Sequence, residues 1–536
     1  MRSFRELSGV SGRCEAFVNS RRRPDLRAAP LSFRFFRLKM NGAMSDKEPI
    51  SFEEIDQWLR AGRNEEVRAK LGELVPGKIP RERLADWSNL ARRSGLLSLS
   101  LRLLRPVIRI KRSLGDQPTF KERASYAASL AAVGALSEAH GMLDGAASEM
   151  LPEVQLFSGF CYVHSWDYAK ALPFFERYLT LPQPSDFQKV VAKVNLAAAH
   201  CFLENYDEVK TLTESIVTDS QKNDWLVLQI EALLLSAQAS ILRSRWAEAK
   251  ADLARAGELS PEKSLNQLLV DKWSLILGVR RDGYSSEVEK QLTKLAAQAR
   301  ERKFWELVRD CDYHLAIEKK DHALVERVYF GTPFKAYRER LLEKSREFFT
   351  PRSSHEWRLG PKSGPKLDIS KNVTKEIKRQ NPLAMRVLRS LASDFYRPLK
   401  IGCLFNDIYP EEFYDPDSSP TRVKTALSRT RTHLKEIGLP LEIRCVKQDY
   451  YLASEEPVDL KVRLEYPENE TQNALPPDFL PKLRKTFHHK AFSSAQAAEI
   501  FGITPIKAQR FLRTAAKDNR VYGSGAARGR LYRFNR

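Results

Sequence analysis

Residues 159–182 read GFCYVHSWDYAKALPFFERYLTLP. A small residue, Gly159, is followed twelve positions later by another, Ala171, with Tyr162 and Phe175 beside them and Pro182 closing the stretch. Two antiparallel helices approach closely only where each offers a small side chain at the crossing, so a paired small position at a fixed offset marks a helical hairpin. The pair recurs on both sides. Ser88/Ser100, Ala127/Ala139, Ala197/Val209 and Ala237/Ala249 hold the same offset, and the units are spaced by 39, 32, 38 and 40 residues. Ala249, Ala256 and Pro261 repeat the second half of the 159–182 pattern, and a degenerate earlier unit centres on Val67. Self-similarity at this period predicts stacked helical hairpins over residues 52–261.

The positions of Gly159, Tyr162, Ala171, Phe175 and Pro182 resemble those of tetratricopeptide repeats, with units longer than the family's roughly 34 residues. The resemblance implies an α-solenoid whose concave face grips a peptide or another domain. From 262 to 349 helical patterning continues (Glu287 to Ala299, Trp305 to Leu315) without the small-residue offset, and is expected to cap the solenoid or prolong it irregularly. Trp225, Trp246, Trp273 and Trp305 are expected in the inter-helix core.

Charge separates the rest of the chain from this array. The 536 residues carry a net charge of +21, with 42% hydrophobic side chains, enough for ordinary cores. Residues 44–349 are nearly neutral, whereas 350–536 hold 34 basic and 21 acidic side chains, the footprint of a polyanion site. Residues 1–43 hold 10 basic and 3 acidic side chains. They are expected to form a disordered leader, an upstream overcalled start before Met40 or Met44. A basic arm built on Arg21-Arg22-Arg23 and a mitochondrial-type presequence are the open alternatives. Six scattered cysteines without C-x-x-C point to a reduced, cytoplasmic chain. No stretch has the 18 or so consecutive apolar residues of a membrane span.

Residues 350–382 are rich in Pro, Gly, Ser and Lys and are expected to be a linker, ending in a short strand near Leu367. Helices are then predicted over Leu383–Ser393 and Ile401–Ile408, followed by an acidic turn (Glu411, Glu412, Asp415, Asp417) expected to be solvated. Ser418 or Ser419 caps a third helix with Pro420 in its first turn. In that helix Val423, Leu427, Thr430, Leu434 and Ile437 form the core stripe. Thr421, Thr425, Ser428, Arg429 and Thr432 lie opposite, flanked by Arg422 and His433 on one side and by Lys424 and Arg431 on the other. Short polar tips let a backbone near base edges, and flanking cations suit phosphates. Leu441–Leu452 reads as a hairpin.

Over roughly residues 367–454, this order resembles the winged-helix effector domain of OmpR/PhoB-type response regulators. The matching residues are Thr421 to Leu434, Gly438-Leu439-Pro440-Leu441 and the strand Ile443–Val446. The resemblance implies that Arg422, Thr425, Arg429 and Arg431 meet DNA. The wing tip Lys447-Gln448-Asp449-Tyr450 lacks the family's glycines, and the helical repeat stands where a receiver would.

Residues 478–536 hold 13 basic and 3 acidic side chains. Helices are predicted at Phe479–His488, from Ser493 or Ser494 to Phe501, and from Pro505, with Ala508, Phe511, Leu512 and Ala515 inward. Lys507, Gln509, Arg510, Arg513, Thr514 and Lys517 face outward. Val521 to Phe534 forms a hairpin carrying Arg528 and Arg530. This looks like a generic winged helix-turn-helix.

The expectation is therefore a mainly α protein: an α-solenoid over 44–349, a linker over 350–382, and two small α+β winged-helix domains. These occupy 383–465 and 478–536, with a second linker over 466–477. Duplex DNA and a protein or peptide ligand of the repeats are the expected partners. The rivals are a protein-docking scaffold and an RNA binder using Tyr450, Tyr451 and Tyr522. No P-loop, calcium-loop spacing, zinc spacing or catalytic constellation stands out, so neither cofactor nor enzymatic activity is expected. Cys161 and Cys201 are expected to be packing residues.

Overall fold

The computed structural model describes residues 51–534, apart from 61–62, 110–116, 144–148, 263, 361, 369–381, 411, 465–477, 518–519 and 525–530. The leader at 1–43 and the second linker at 466–477 lie outside the described residues.

The array is built of consecutive helices: α1 Phe52–Arg60, α2 Asn64–Gly72, α3 Arg81–Arg93, α4 Leu97–Arg109, α5 Phe120–Val133 and α6 Leu136–Leu143. There follow α7 Pro152–His164, α8 Tyr168–Thr180, α9 Asp186–Phe202, α10 Tyr206–Lys222, α11 Leu226–Leu242 and α12 Trp246–Leu259. All ten paired small positions, from Ser88 and Ser100 to Ala237 and Ala249, are buried. Ser88 Oγ lies 2.9 Å from Ser100 Oγ, which places the crossing on the predicted pair. Capping boxes start α5 (Thr119 with Glu122) and α9 (Ser185 with Gln188), each satisfying two end N–H groups.

The array continues through α13 Leu265–Asp282, α14 Ser286–Glu301, α15 Trp305–Glu318, α16 His322–Phe330 and α17 Lys335–Ser345. The offset returns here, since Ala316 and Val328 are twelve apart and both buried. The array then closes on itself. The Arg309 guanidinium lies 4.6 Å from the centre of the Trp166 ring and 4.3 Å from that of Tyr337, and Trp166 meets Tyr337 edge-on at 5.1 Å. Arg340 covers Phe202 at 4.5 Å. Cations desolvated against aromatic faces thus join the late helices to the α7–α8 turn and the end of α9.

Residues 350–382, expected to be a linker, contribute two strands, β1 (His355–Leu359) and β2 (Lys366–Asp368). Their partner is β5 (Val458–Val462), antiparallel to β1 and parallel to β2, in the order β1-β5-β2. The ladder comes from a strand some hundred residues later, so local composition could not announce it. Between them lie α18 (Pro382–Leu391), α19 (Ile401–Ile408), α20 (Ser419–Glu436), β3 (Glu442–Val446) and β4 (Asp449–Ala453). β3 and β4 form a hairpin whose two turn residues, Lys447 and Gln448, have φ of 49° and 72°, as in a two-residue type I′ turn. One hydrophobic core runs from the array into this unit. The unit is therefore packed on the array rather than hung from a hinge.

The last unit has its own core of Phe479, Leu483, Phe492, Phe511, Leu512, Tyr532 and neighbours. It comprises α21 (Phe479–Phe487), β6 (Phe492–Ser493), α22 (Ser494–Phe501), α23 (Pro505–Lys517), β7 (Val521–Ser524) and β8 (Leu531–Phe534), with sheet order β6-β8-β7. Ser493 caps α22 in a capping box with Gln496, and Gly502, at φ 59°, ends it.

Candidate nucleic-acid interface

α20 is amphipathic because its apolar residues step by four and three. Val423, Leu427, Thr430 and Leu434 are buried and Ile437 is half-buried. On the other face Thr421, Lys424, Thr425, Ser428, Arg429 and Thr432 are exposed. The Thr425 hydroxyl donates to the Thr421 carbonyl at 2.9 Å and the Thr432 hydroxyl to that of Ser428 at 3.3 Å, which keeps both side chains against the helix. The result is a low-profile strip with two outward cations, Lys424 and Arg429.

Arg422 and Arg431 are engaged within the unit. Arg422 grips Glu412 with both arms of its fork, at 2.6 and 2.9 Å, and covers the Tyr409 ring at 4.1 Å. It thereby fixes the loop entering α20. Arg431 Nε donates to the Ile443 carbonyl at 2.9 Å and ties α20 to β3. His433, read as a flanking cation, is buried, since its position falls beside Leu434 on the core side. A shallow cavity of about 220 Å³ lies between Leu383, Tyr409 and the Thr421–Arg429 part of α20.

The acidic turn is not simply solvated. Asp417 accepts from Arg102 at 2.7 Å and from Arg105 at 2.6 Å, and Asp415 from Arg105 at 2.9 Å, both arginines standing on α4 of the array. Burial works against the charged Asp415 carboxylate, but the Ser418 and Asp417 N–H groups and Arg105 hold its pKa below the ordinary value. The Tyr414 N–H donates to Glu138 at 2.7 Å. The acid–base complementarity between residues 415–417 and α4 escaped the reading because each charge run looks solvated alone.

In the last unit, Ala508, Phe511, Leu512 and Ala515 of α23 are buried as the stripe requires, and Arg513 is half-buried. The side chains of Lys507, Arg510, Thr514 and Lys517 lie outside the described residues, as do Arg528 and Arg530. Lys482, Arg484, Lys485, Lys490, Arg520 and Arg533 are exposed cations that the reading left out of the candidate site. Arg533 stands 6.0 Å from the exposed Tyr522 ring across the β7–β8 ladder.

Among the described residues no group of three or more His, Cys, Asp or Glu could hold a metal ion, and no helix is long and apolar enough to cross a membrane. Burial pushes the Cys161 and Cys201 thiols up to about 12, which keeps them protonated as packing groups.

No protein-family model matches the chain, and no curated protein matches it. Among solved structures it is similar to the "Crystal Structure of Rap Protein Complexed with Competence and Sporulation Factor", at 11% identity and a TM-score of 0.35, over 72% of this chain and 91% of that one.

Proposed function

We propose that this chain is a non-catalytic, cytoplasmic regulator of bacterial type. Residues 383–465 and 478–536 would act as winged helices on duplex DNA, and the helical array would bind a protein or peptide partner. One observation carries the DNA reading: α20 presents Thr421, Lys424, Thr425, Ser428, Arg429 and Thr432 on one exposed face while its apolar stripe is buried. On this reading α20 enters a major groove, with Arg429 at base edges and Lys424 at a phosphate. Arg422 and Arg431 act by holding α20 in place. The 13 basic side chains of residues 478–536 supply a second cationic surface through α23 and its hairpin. Solenoid geometry, which offers an extended concave surface, supports that role for the array.

The test is binding of the full-length chain to random-sequence duplex DNA over a salt series. Six to ten phosphate contacts give a linear log–log fall of about 10³–10⁵ in affinity between 50 and 200 mM salt. Absence of binding at 50 mM overturns the reading. A second reading, a protein-docking scaffold, is favoured by the core shared between the 383–465 unit and the array. It expects capture of a folded protein by that surface with no salt-dependent DNA binding.

A further inference from the structure

The unit spanning α18 to β5 touches the array at two junctions far apart along it, and the two are built differently. At the late junction Phe395 stacks on Trp357 at 4.3 Å and its N–H donates to the Gly331 carbonyl at 3.1 Å. The Tyr396 hydroxyl donates to Asp312 at 2.8 Å. Arg397 bridges Asp394 at 2.7 Å and Glu306 at 3.1 Å, with the two carboxylate side chains 0% and 5% exposed. A methyl on Gly331 would sit 2.7 Å from the Trp357 ring, so the surfaces interlock. Buried, paired charges and stacked rings are screened little by salt.

The early junction has one buried polar contact, the Tyr414 N–H on the Glu138 carboxylate, and is otherwise made of backbone approach and surface ions. Gly402 of α19 rests on the α5–α6 turn, where a methyl would collide with the Val133 carbonyl oxygen. Lys400 donates to the Ala132 carbonyl at 2.9 Å. The ion pairs of Arg102 and Arg105 with Asp415 and Asp417 have side chains 53%, 41%, 26% and 43% exposed respectively. Pairs this open are screened by salt and contribute little net stability. The early junction leads straight into α20, because Asp415 and Asp417 immediately precede its first turn.

We infer that residues 382–462 form a strut across the array, fixed at Gly331 and releasable where α4 meets Asp415 and Asp417. A partner that changes the curvature of the array pulls on the strut at its weak end and reorients α20. The strut stands on the contacts alone; its effect on DNA rests on the function proposed above. A partner acts this way to the extent that it binds the latched and released forms with different affinity.

The test is hydrogen exchange on the full-length chain, following peptides over 97–109 and 409–419 at the early junction and over 355–359 and 394–399 at the late one. Raising salt from 50 to 500 mM, or the double substitution Arg102→Glu with Arg105→Glu, is expected to speed exchange at the early junction about tenfold. The late junction stays protected. Adding Asp417→Lys to the double variant restores protection by re-pairing that position with both new carboxylates, while Asp415 is kept because its carboxylate accepts from the Asp417 and Ser418 N–H groups. Unchanged exchange at the early junction in the double variant overturns the latch, and so does equal loss at both junctions. DNA affinity is read on the same proteins. A change of threefold or more in the double variant, reversed in the re-paired one, supports the coupling; equal affinity in all three overturns it. If none binds DNA, the exchange result still decides the strut, while the proposed function falls.

Discussion

Gly159 faces Phe175 so closely that a methyl on its α-carbon would lie 2.6 Å from the ring's Cε1. The two residues stand on facing helices of one hairpin, and Phe175 is fully buried. Gly159→Ala is therefore expected to destabilise the array by about 1–3 kcal/mol through overpacking. Ala197→Gly, at the equivalent position of the next hairpin, is expected to cost about 1 kcal/mol through helix propensity. Urea titration of both variants checks this; a neutral Gly159→Ala shows that Phe175 can move aside.

His314 gives the array an acid-sensitive point. Burial pushes its pKa down to about 3, against the pull of Asp310, with Lys272, Arg280 and Arg340 adding to the depression. The unfolded chain binds a proton near 6.5 and the folded one does not, so stability is lost as pH falls below 6.5. The slope approaches about 1.4 kcal/mol per pH unit until the lower value is reached. Asp310, held low by Lys272 against its own burial, adds loss in the same direction below its ordinary value. His314→Gln is expected to flatten the profile between pH 6 and 4.5; an unchanged slope in thermal melts sinks the assignment.

The turns between helices rely on left-handed residues that are mostly not glycine. Trp166, Glu204, Asp224, Ser244, Lys303 and Lys320 all have φ between 53° and 67°. An L side chain pays conformational strain there that glycine does not. Ser244 is exposed, so Ser244→Gly is expected to stabilise the chain by roughly 0.5–1 kcal/mol, read as a higher denaturant midpoint at unchanged slope.

On α20, Arg429→Ala is expected to cost about 1–3 kcal/mol on the preferred sequence and to relax discrimination, whereas Lys424→Ala weakens all sequences alike. Competition against single-base variants separates them, and identical discrimination profiles rule the assignment out. Arg422→Ala is expected to lower thermal stability as well, because it frees Glu412 and uncovers Tyr409.

The hairpins were legible because packing two helices tightly leaves a periodic imprint: Ser88/Ser100 and Ala237/Ala249 are buried where the offset puts them. The stripe of α20 and the core face of α23 were legible for the same reason. What stayed hidden depended on partners distant in sequence. Strand β1 depends on β5, the acidic turn on α4, and the closure of the array on Arg309 meeting Trp166. Charge type alone also left the partners of Arg422 and Arg431 unread. It shows that a guanidinium faces away from the apolar stripe, not whether Glu412 or a backbone carbonyl already holds it.

The β1–β5 ladder also sets an order on synthesis. While the ribosome is still translating the helices between them, Trp357 has emerged but Val458–Val462 has not. The array's late end is then an open seam, with the edge of β1 unpaired although Phe395 can already cover its indole. Nascent chains stalled before residue 458 should accordingly recruit chaperones and resist compaction, and those extended past 462 should shed them together, as the seam closes in one step.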